Sequence, residues 1–207
     1  MQIENSILLI TLASIQFILL LLLAIFFGGK EKITTKLITT AALSFALATV
    51  LNFITLFRLP MGGSITLAAL LPLLLFSYRY GCRYGIALGF FFGIINFLLQ
   101  PTQIIHPAQF FLDYPLAFMS IGVAGIFNNK KKNALYFILG TVLALLLRYI
   151  AHLFSGVFAF GEFATGNPWI YSLAYNSFVL LDGGISLGIA CLLLQVKSLK
   201  KYLLPLR

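Results

Sequence analysis

The chain consists of long apolar runs separated by short segments that contain glycine, proline or basic residues. A helix that crosses the hydrocarbon core of a bilayer, about 30 Å thick, needs about 20 apolar residues. Hydrophobic residues make up 61% of the 207 residues and charged residues only 9%, whereas soluble domains have roughly 45–50% and 25%. This composition excludes a soluble globular domain, a disordered chain and a soluble nucleic-acid-binding protein. It predicts an all-α integral membrane protein.

The apolar runs predict seven membrane spans. They cover residues 7–27, 37–57, 65–78, 84–99, 109–127, 134–154 and 169–196. The first run is predicted to be a retained helix and not a signal peptide, because Glu4 precedes it and lysines follow it. The third run is short and begins beside Gly62-Gly63-Ser64. It is either a helix that begins late or an interrupted segment that lines a cavity, as in many transporters.

The basic residues predict the orientation of the chain. Seven spans place 12 of the 14 Lys and Arg residues on one side, and cytoplasmic loops carry the excess of these residues. We therefore expect the amino terminus outside and the carboxyl terminus in the cytoplasm. The twelve residues are Lys30, Lys32, Lys36, Arg79, Arg83, Lys130, Lys131, Lys132, Lys197, Lys200, Lys201 and Arg207. Topology and attraction to anionic lipid heads then explain the net charge of +9.

Ionisable side chains inside the predicted spans indicate a functional site, because such groups are costly in hydrocarbon. They are Asp113, Arg148, His152 and Asp182. The predicted topology brings Asp113, His152, Phe160 and Asn176 to the outer half of their spans. A carboxylate, an imidazole, amides and aromatic rings at one depth suit a cationic, nitrogen-bearing aromatic solute. Structural roles stay open: Arg148 could pair with Asp113 or with Asp182, and Phe160 could belong to an interfacial aromatic belt.

Motifs of common enzymes and metal sites are absent from the sequence. It contains no Gly-x-Ser-x-Gly, no His-Glu-x-x-His and no phosphate-binding loop. His106 and His152 are too few for a convincing metal site, and the two cysteines have no metal-binding spacing. We therefore expect no catalytic residue, no metal and no cofactor. Ala42 and Ala46 form a small-x-x-x-small pair, which serves either internal helix packing or the docking of another helix.

Several blocks of sequence, in order, resemble the thiamine-specific substrate-binding component of energy-coupling factor transporters. The blocks are 59–64, 79–81, 106–118, 147–156 and 169–176. The resemblance implies a six-helix thiamine-binding membrane domain over 36–207. An additional N-terminal transmembrane helix and a cytoplasmic loop would occupy 1–35. It also implies partners: a membrane scaffold subunit and two cytoplasmic ATPase subunits that hydrolyse ATP, so that this chain is not itself an enzyme.

The resemblance also implies the residues of the site. Asp113 would contact the aminopyrimidine of thiamine, and Phe160, where the family sometimes has Trp, would stack on the thiazolium. The other pocket positions would be Tyr114, His152, Gly156, Tyr171 and Asn176. Ala42 and Ala46 match the motif that docks onto the scaffold subunit. Asp182-Gly183-Gly184 and the additional first helix have no counterpart in the pattern.

Three other functions stay open. The same architecture could bind another vitamin or a precursor of thiamine. The chain could alternatively be a stand-alone transporter that is coupled to protons through His152 and Asp113. A membrane enzyme is the third possibility, although no nucleophile–base motif supports it.

Overall fold

The computed structural model describes residues 2–28, 32–128 and 134–196. Its helices are α1 Gln2–Phe26, α2 Thr35–Phe53, α3 Leu71–Tyr80, α4 Cys82–Leu99, α5 Pro107–Phe111, α6 Ala117–Ile121, α7 Ala134–Phe158, α8 Pro168–Asn176 and α9 Phe178–Gln195. An antiparallel hairpin, β1 Thr55–Arg58 and β2 Ser64–Thr66, joins α2 to α3. The described chain is therefore predominantly helical, as the sequence predicts, with a small hairpin that the sequence does not predict.

Six helical segments in the described residues are long and apolar enough to cross a membrane. They are Ile3–Phe26, Thr35–Phe53, Cys82–Leu99, Pro107–Phe127, Ala134–Phe158 and Pro168–Gln195. The third predicted span, 65–78, is not among them, so seven full-length spans are not confirmed. That run contains β2 and then α3, which has 10 residues; at 1.5 Å per residue it extends only about 15 Å.

Burial inside the protein explains the apolar character of α3. Eight of its 10 residues are buried, and it packs among α2, α4 and the 3-10 turn Gly122–Phe127. Periodicity alone does not separate a buried helix from one that faces lipid. The apolar residues of α3 therefore face protein, and their apolar character does not require a helix that spans the bilayer in contact with lipid.

Glycines let α4 approach the α5–α6 segment closely. A Cβ atom on Gly89 would lie 2.2 Å from the carbonyl oxygen of Phe118, and one on Gly93 would lie 2.6 Å from that of Tyr114. These contacts are between backbones, which is how small residues bring membrane helices together. Close packing therefore fixes the position of the chain around Asp113 and Tyr114.

Two of the six segments, Pro107–Phe127 and Pro168–Gln195, are not continuous α-helices. A π-helical turn, Leu112–Leu116, which includes Pro115, separates α5 from α6. Such turns often occur at functional sites. The last predicted span is divided into α8 and α9 at Ser177. Both interruptions lie beside the same cavity.

Contacts between chain segments show which helix ends lie together. The end of α1 meets the start of α4, since a Cβ on Gly28 would lie 3.1 Å from the Cβ of Arg83. At the same end, the Tyr80 hydroxyl donates to Thr40 Oγ1 at 3.1 Å. The described basic residues Lys36, Arg79 and Arg83 thus belong to one end of the bundle, and Lys32 is described three residues before the start of α2. The orientation of the termini stays a prediction. Lys30, Lys130, Lys131, Lys132, Lys197, Lys200, Lys201 and Arg207 lie outside the described residues.

The first helix packs along one stripe onto the rest of the bundle. Its buried residues are Leu9, Ala13, Gln16 and Leu20, a spacing of four, three and four that keeps one face inward. Nε2 of Gln16 donates to Ser120 Oγ at 3.1 Å and to the carbonyl oxygen of Leu147 at 3.4 Å. The amide therefore joins α1 to α6 and α7. The division of the chain at residues 35 and 36 stays a prediction.

The close contact of α4 gives a first testable prediction. Gly89→Ala should lower the free energy of unfolding by about 1–3 kcal/mol, because the added methyl group forces the α4 and α6 backbones apart. Gly188→Ala is the matched control, since a Cβ there has no neighbour within 4 Å and alanine favours a helix. Thermal unfolding in detergent measures both variants; equal midpoints would contradict the prediction.

Candidate functional site

A cavity lies at the end of the bundle opposite Arg79 and Arg83. The ends of α2, α4 and α7, the π turn, α8, the start of α9 and the hairpin surround it. Its volume, measured as the space that the centre of a water molecule can occupy, is about 130 Å³. One water molecule needs about 10–15 Å³ on the same measure, roughly a tenth of this volume. The cavity is therefore large enough for a small organic molecule and not only for an ion.

All seven predicted pocket residues line this one cavity: Asp113, Tyr114, His152, Gly156, Phe160, Tyr171 and Asn176. They come from the π turn, α7, the loop after α7 and α8, so the fold gathers residues up to 63 positions apart in sequence. Their contact with a ligand stays a prediction. Ala42 and Ala46 lie elsewhere, exposed on α2.

Asp113 is the centre of the polar part of the cavity. Its Oδ1 lies 3.0 Å from Nδ1 of His152, and its Oδ2 accepts a hydrogen bond of 2.8 Å from Ser155 Oγ. His152 and Ser155 are three residues apart and share one face of α7. Helix α7 therefore holds both oxygens of the carboxylate, which fixes its orientation toward the cavity.

The second ring nitrogen of His152 has no protein partner in the described part of the chain. Nε2 is buried and makes no hydrogen bond there, although Nδ1 on the other side of the ring faces Asp113. A buried polar atom without a partner costs about 1–3 kcal/mol. His152 therefore has hydrogen-bonding capacity that the protein itself leaves unused.

A buried ion pair between Arg148 and Asp182 lies beside the cavity. Its Nη1 lies 3.3 Å from Oδ2 of Asp182, and its guanidinium carbon lies 4.8 Å from the centre of the Phe118 ring. The other oxygen of Asp182 accepts from the backbone N–H of Thr66 at 2.9 Å and from its hydroxyl at 2.7 Å. Arg148 thus pairs with Asp182 and not with Asp113, and Asp182 joins α9 to strand β2.

The turn Pro60–Gly62 of the hairpin covers part of the cavity. Met61 (φ 62°) and Gly62 (φ 95°) both have left-handed backbone, and a Cβ on Gly62 would lie 2.5 Å from Cγ2 of Thr102. The hydroxyl of Tyr175 accepts from the N–H of Gly63 at 3.2 Å and donates to the carbonyl oxygen of Pro60. The turn is therefore held between the loop after α4 and helix α8.

Asn176 and Gly156 build the wall between α7 and α8. Nδ2 of Asn176 donates to the carbonyl oxygen of His152 at 3.1 Å and to that of Ser172 at 3.0 Å. A Cβ on Gly156 would lie 2.2 Å from Ser172 Oγ. Only glycine lets the two helices approach this closely, so these two residues shape the wall of the cavity and hold His152 in place.

Aromatic rings form much of the rest of the lining. Phe160 and Phe163 lie with ring centres 6.3 Å apart, and Tyr171 and Tyr175 stack at 6.0 Å with an interplanar angle of 15°. The hydroxyl of Tyr114 is within 2.6 Å of Thr102 Oγ1. Ring faces attract cations, so this arrangement can hold a cationic aromatic molecule.

Sequence reasoning did not select several residues that build the site. Ser155 and Tyr175 line the cavity, and helical spacing could have found them, because they follow His152 by three positions and Tyr171 by four. Thr66, and Met61 and Gly62 of the turn Pro60–Gly62, also line the cavity. Their position depends on a hairpin within apolar sequence, for which no local pattern gave a signal.

Comparisons with known proteins find thiamine transporters among the proteins that this chain resembles. The family model of the thiamine transporter protein matches residues 37–203. Thiamine transporter ThiT of Bacillus subtilis is 34% identical over 180 residues, covering 80% of this chain and 93% of that protein. Thiamine transporter ThiT of Lacticaseibacillus paracasei is 28% identical over 122 residues, covering 52% of this chain and 61% of that protein.

A solved structure of ThiT from Listeria monocytogenes has the same fold. Its TM-score is 0.68 at 25% sequence identity, and the match covers 79% of this chain and 96% of that one. Helix α1 precedes the residues that the family model matches. Proteins of this family are named as transporters and not as enzymes. The family model matches well over half of the sequence, and the chain is a multi-pass membrane protein that belongs to the thiamine transporter family.

Proposed function

We propose that this chain is the high-affinity thiamine-binding membrane subunit of a vitamin uptake system. It captures thiamine at the extracellular face, in the cavity around Asp113. The observation that carries the proposal is the pairing of an oriented carboxylate with a set of aromatic rings. The names of the relatives, which are thiamine transporters, support the same ligand.

The charges of the cavity favour a cationic ligand. Arg148 and Asp182 neutralise each other in their ion pair, whereas Asp113 faces an imidazole and a hydroxyl. With a neutral imidazole, the described lining residues carry one net negative charge. The thiazolium of thiamine carries one fixed positive charge, and a buried charge needs an opposite charge to offset its desolvation.

The two ends of thiamine fit two parts of the lining. The exocyclic amine of the aminopyrimidine has two N–H donors. They suit two acceptors: the Asp113 carboxylate and, in a neutral imidazole that directs Nδ1–H toward this carboxylate, the unused Nε2 of His152. The thiazolium lies against Phe160, where a ring face attracts the cation. Tyr114, Tyr171, Gly156 and Asn176 complete the pocket.

Delivery inward needs partners, which we propose are a membrane scaffold subunit and two cytoplasmic ATPase subunits of an energy-coupling module. The scaffold docks on α2 at Ala42 and Ala46, both of which are exposed. Small exposed residues four positions apart allow another helix to approach closely. In this arrangement the amino terminus is outside and the carboxyl terminus is cytoplasmic, and ATP is hydrolysed by the partners.

A proton-coupled transporter is the second candidate, and the contact of 3.0 Å between Asp113 and His152 favours it. Uptake by vesicles that contain only this chain, compared with uptake by vesicles that also contain the coupling module, distinguishes the two functions. Thiamine uptake that follows a proton gradient without any ATPase would support the second candidate, whereas uptake only with the coupling module and ATP supports the first. Competition by the pyrimidine half of thiamine or by other vitamins tests the ligand.

The carboxylate gives a prediction for affinity. Asp113→Asn should weaken thiamine binding by about 1–3 kcal/mol, the effect of removing a charged hydrogen-bond partner from a buried site. Glu162→Gln is the matched control, because Glu162 is exposed in the loop after α7 and water screens its charge. Titration calorimetry on the purified chain measures both variants. An unchanged affinity in Asp113→Asn would remove this residue from the site.

The aromatic lining gives a prediction of the opposite sign. Phe160→Trp should strengthen thiamine binding by about 0.5–1 kcal/mol, because indole gives the strongest attraction between a ring and a cation. Phe111→Trp is the control, since Phe111 is exposed and does not line the cavity. Calorimetry is again suitable, and equal affinities for the two variants would contradict the stacking role of Phe160.

The docking surface gives a prediction for transport. Ala42→Trp should leave thiamine binding unchanged but abolish uptake in vesicles with the complete coupling module, because an indole prevents close helix contact. Leu192→Trp, at an exposed position on α9, should leave both intact. Uptake of labelled thiamine with ATP is the measurement, and normal uptake by Ala42→Trp would place the docking surface elsewhere.

A further inference from the structure

A groove between α1 and α4 lies at the end of the bundle opposite the cavity. Small residues at Ala24, Gly28 and Ala87 leave it open, and rings such as Phe17 and Phe91 line its sides. The residues of each helix recur every three or four positions, so the groove follows one face of α1 and one face of α4. The volume of the groove, measured as the space that the centre of a water molecule can occupy, is about 680 Å³.

The length of the groove matches one leaflet of a bilayer. On α1 its lining extends from Phe17 to Gly28, which is about 16 Å at 1.5 Å per residue. Half of the hydrocarbon core is about 15 Å thick. An extended acyl chain of one leaflet therefore has the right length to lie along the groove.

One end of the groove carries a cation. Arg83 is exposed and lines the groove beside Gly28. Its guanidinium makes no hydrogen bond or ion pair with the part of the chain that the structure describes. A guanidinium can bind phosphate through two parallel hydrogen bonds. The other described lining residues of the groove are apolar.

We propose that this groove binds one phospholipid with an anionic headgroup. An acyl chain lies between α1 and α4, and the phosphate contacts Arg83. The basic residues Lys32 and Lys36, close in sequence to the end of α1, favour a headgroup with net negative charge over one that also carries an ammonium group. Helix α1, which forms one side of the groove, precedes the residues that the family model matches.

Native mass spectrometry of the full chain tests the headgroup. Delipidated protein is mixed with phosphatidylglycerol or phosphatidylcholine of identical acyl chains. We expect one phosphatidylglycerol to be retained in preference, and Arg83→Gln to reduce this preference about fivefold, the effect of about 1 kcal/mol from one basic residue near an anionic surface. Arg58→Gln is the control, because Arg58 is exposed on β1 at the cavity end; it should retain the preference.

A second variant tests the groove itself. Ala87→Trp places an indole in the groove and should prevent retention of the lipid, while the thermal midpoint of the protein without lipid is unchanged because Ala87 is exposed. Equal retention of both lipids by the unmodified chain, an unchanged preference in Arg83→Gln, or full retention by Ala87→Trp would each overturn the proposal. Thiamine titration of the same variants reports separately on the cavity at the opposite end.

Discussion

The buried pair of Arg148 and Asp182 is the interaction on which the shape of the cavity depends. It joins α7 to α9, and the free oxygen of Asp182 holds strand β2 through both the backbone and the hydroxyl of Thr66. Removing one partner of a buried pair leaves an uncompensated charge, which is strongly destabilising. The hairpin that covers the cavity therefore depends on the same carboxylate that neutralises Arg148. The pair also leaves Asp113 as the carboxylate available to a ligand.

Interrupted helices and close backbone packing bring the polar groups to the cavity. The π turn presents Asp113 to α7, where His152 and Ser155 hold its two oxygens. Irregular backbone is tolerated at membrane depth where it is buried in protein or lines a cavity. The glycines of α4 let that helix pack against the backbone of this irregular segment. The position of the carboxylate thus follows from packing on two sides.

The sequence predicts the helical membrane architecture and the pocket residues better than it predicts the region between α2 and α4. Asp113 and His152 stand out because an ionisable group within an apolar run is costly in lipid. Tyr114, by contrast, is predicted only from the family resemblance. The third predicted span is not confirmed as a full-length membrane helix, because an apolar run such as α3 is equally consistent with burial in protein. The bonds of Tyr175 to the hairpin turn join residues over 100 positions apart, so local pattern could not reveal them.

The hydrogen bonds of Gln16 have a consequence for the motion of the first helix. An amide inside a bilayer loses its partners if its helix turns about its own axis or slides by one turn, about 5.4 Å, and hydrocarbon supplies none in exchange. The bonds to Ser120 and Leu147 therefore give α1 one rotational setting and one depth relative to α6 and α7. Helix α1, which precedes the residues matched by the family model, is in this way held at a fixed position against the bundle by the side chain of Gln16.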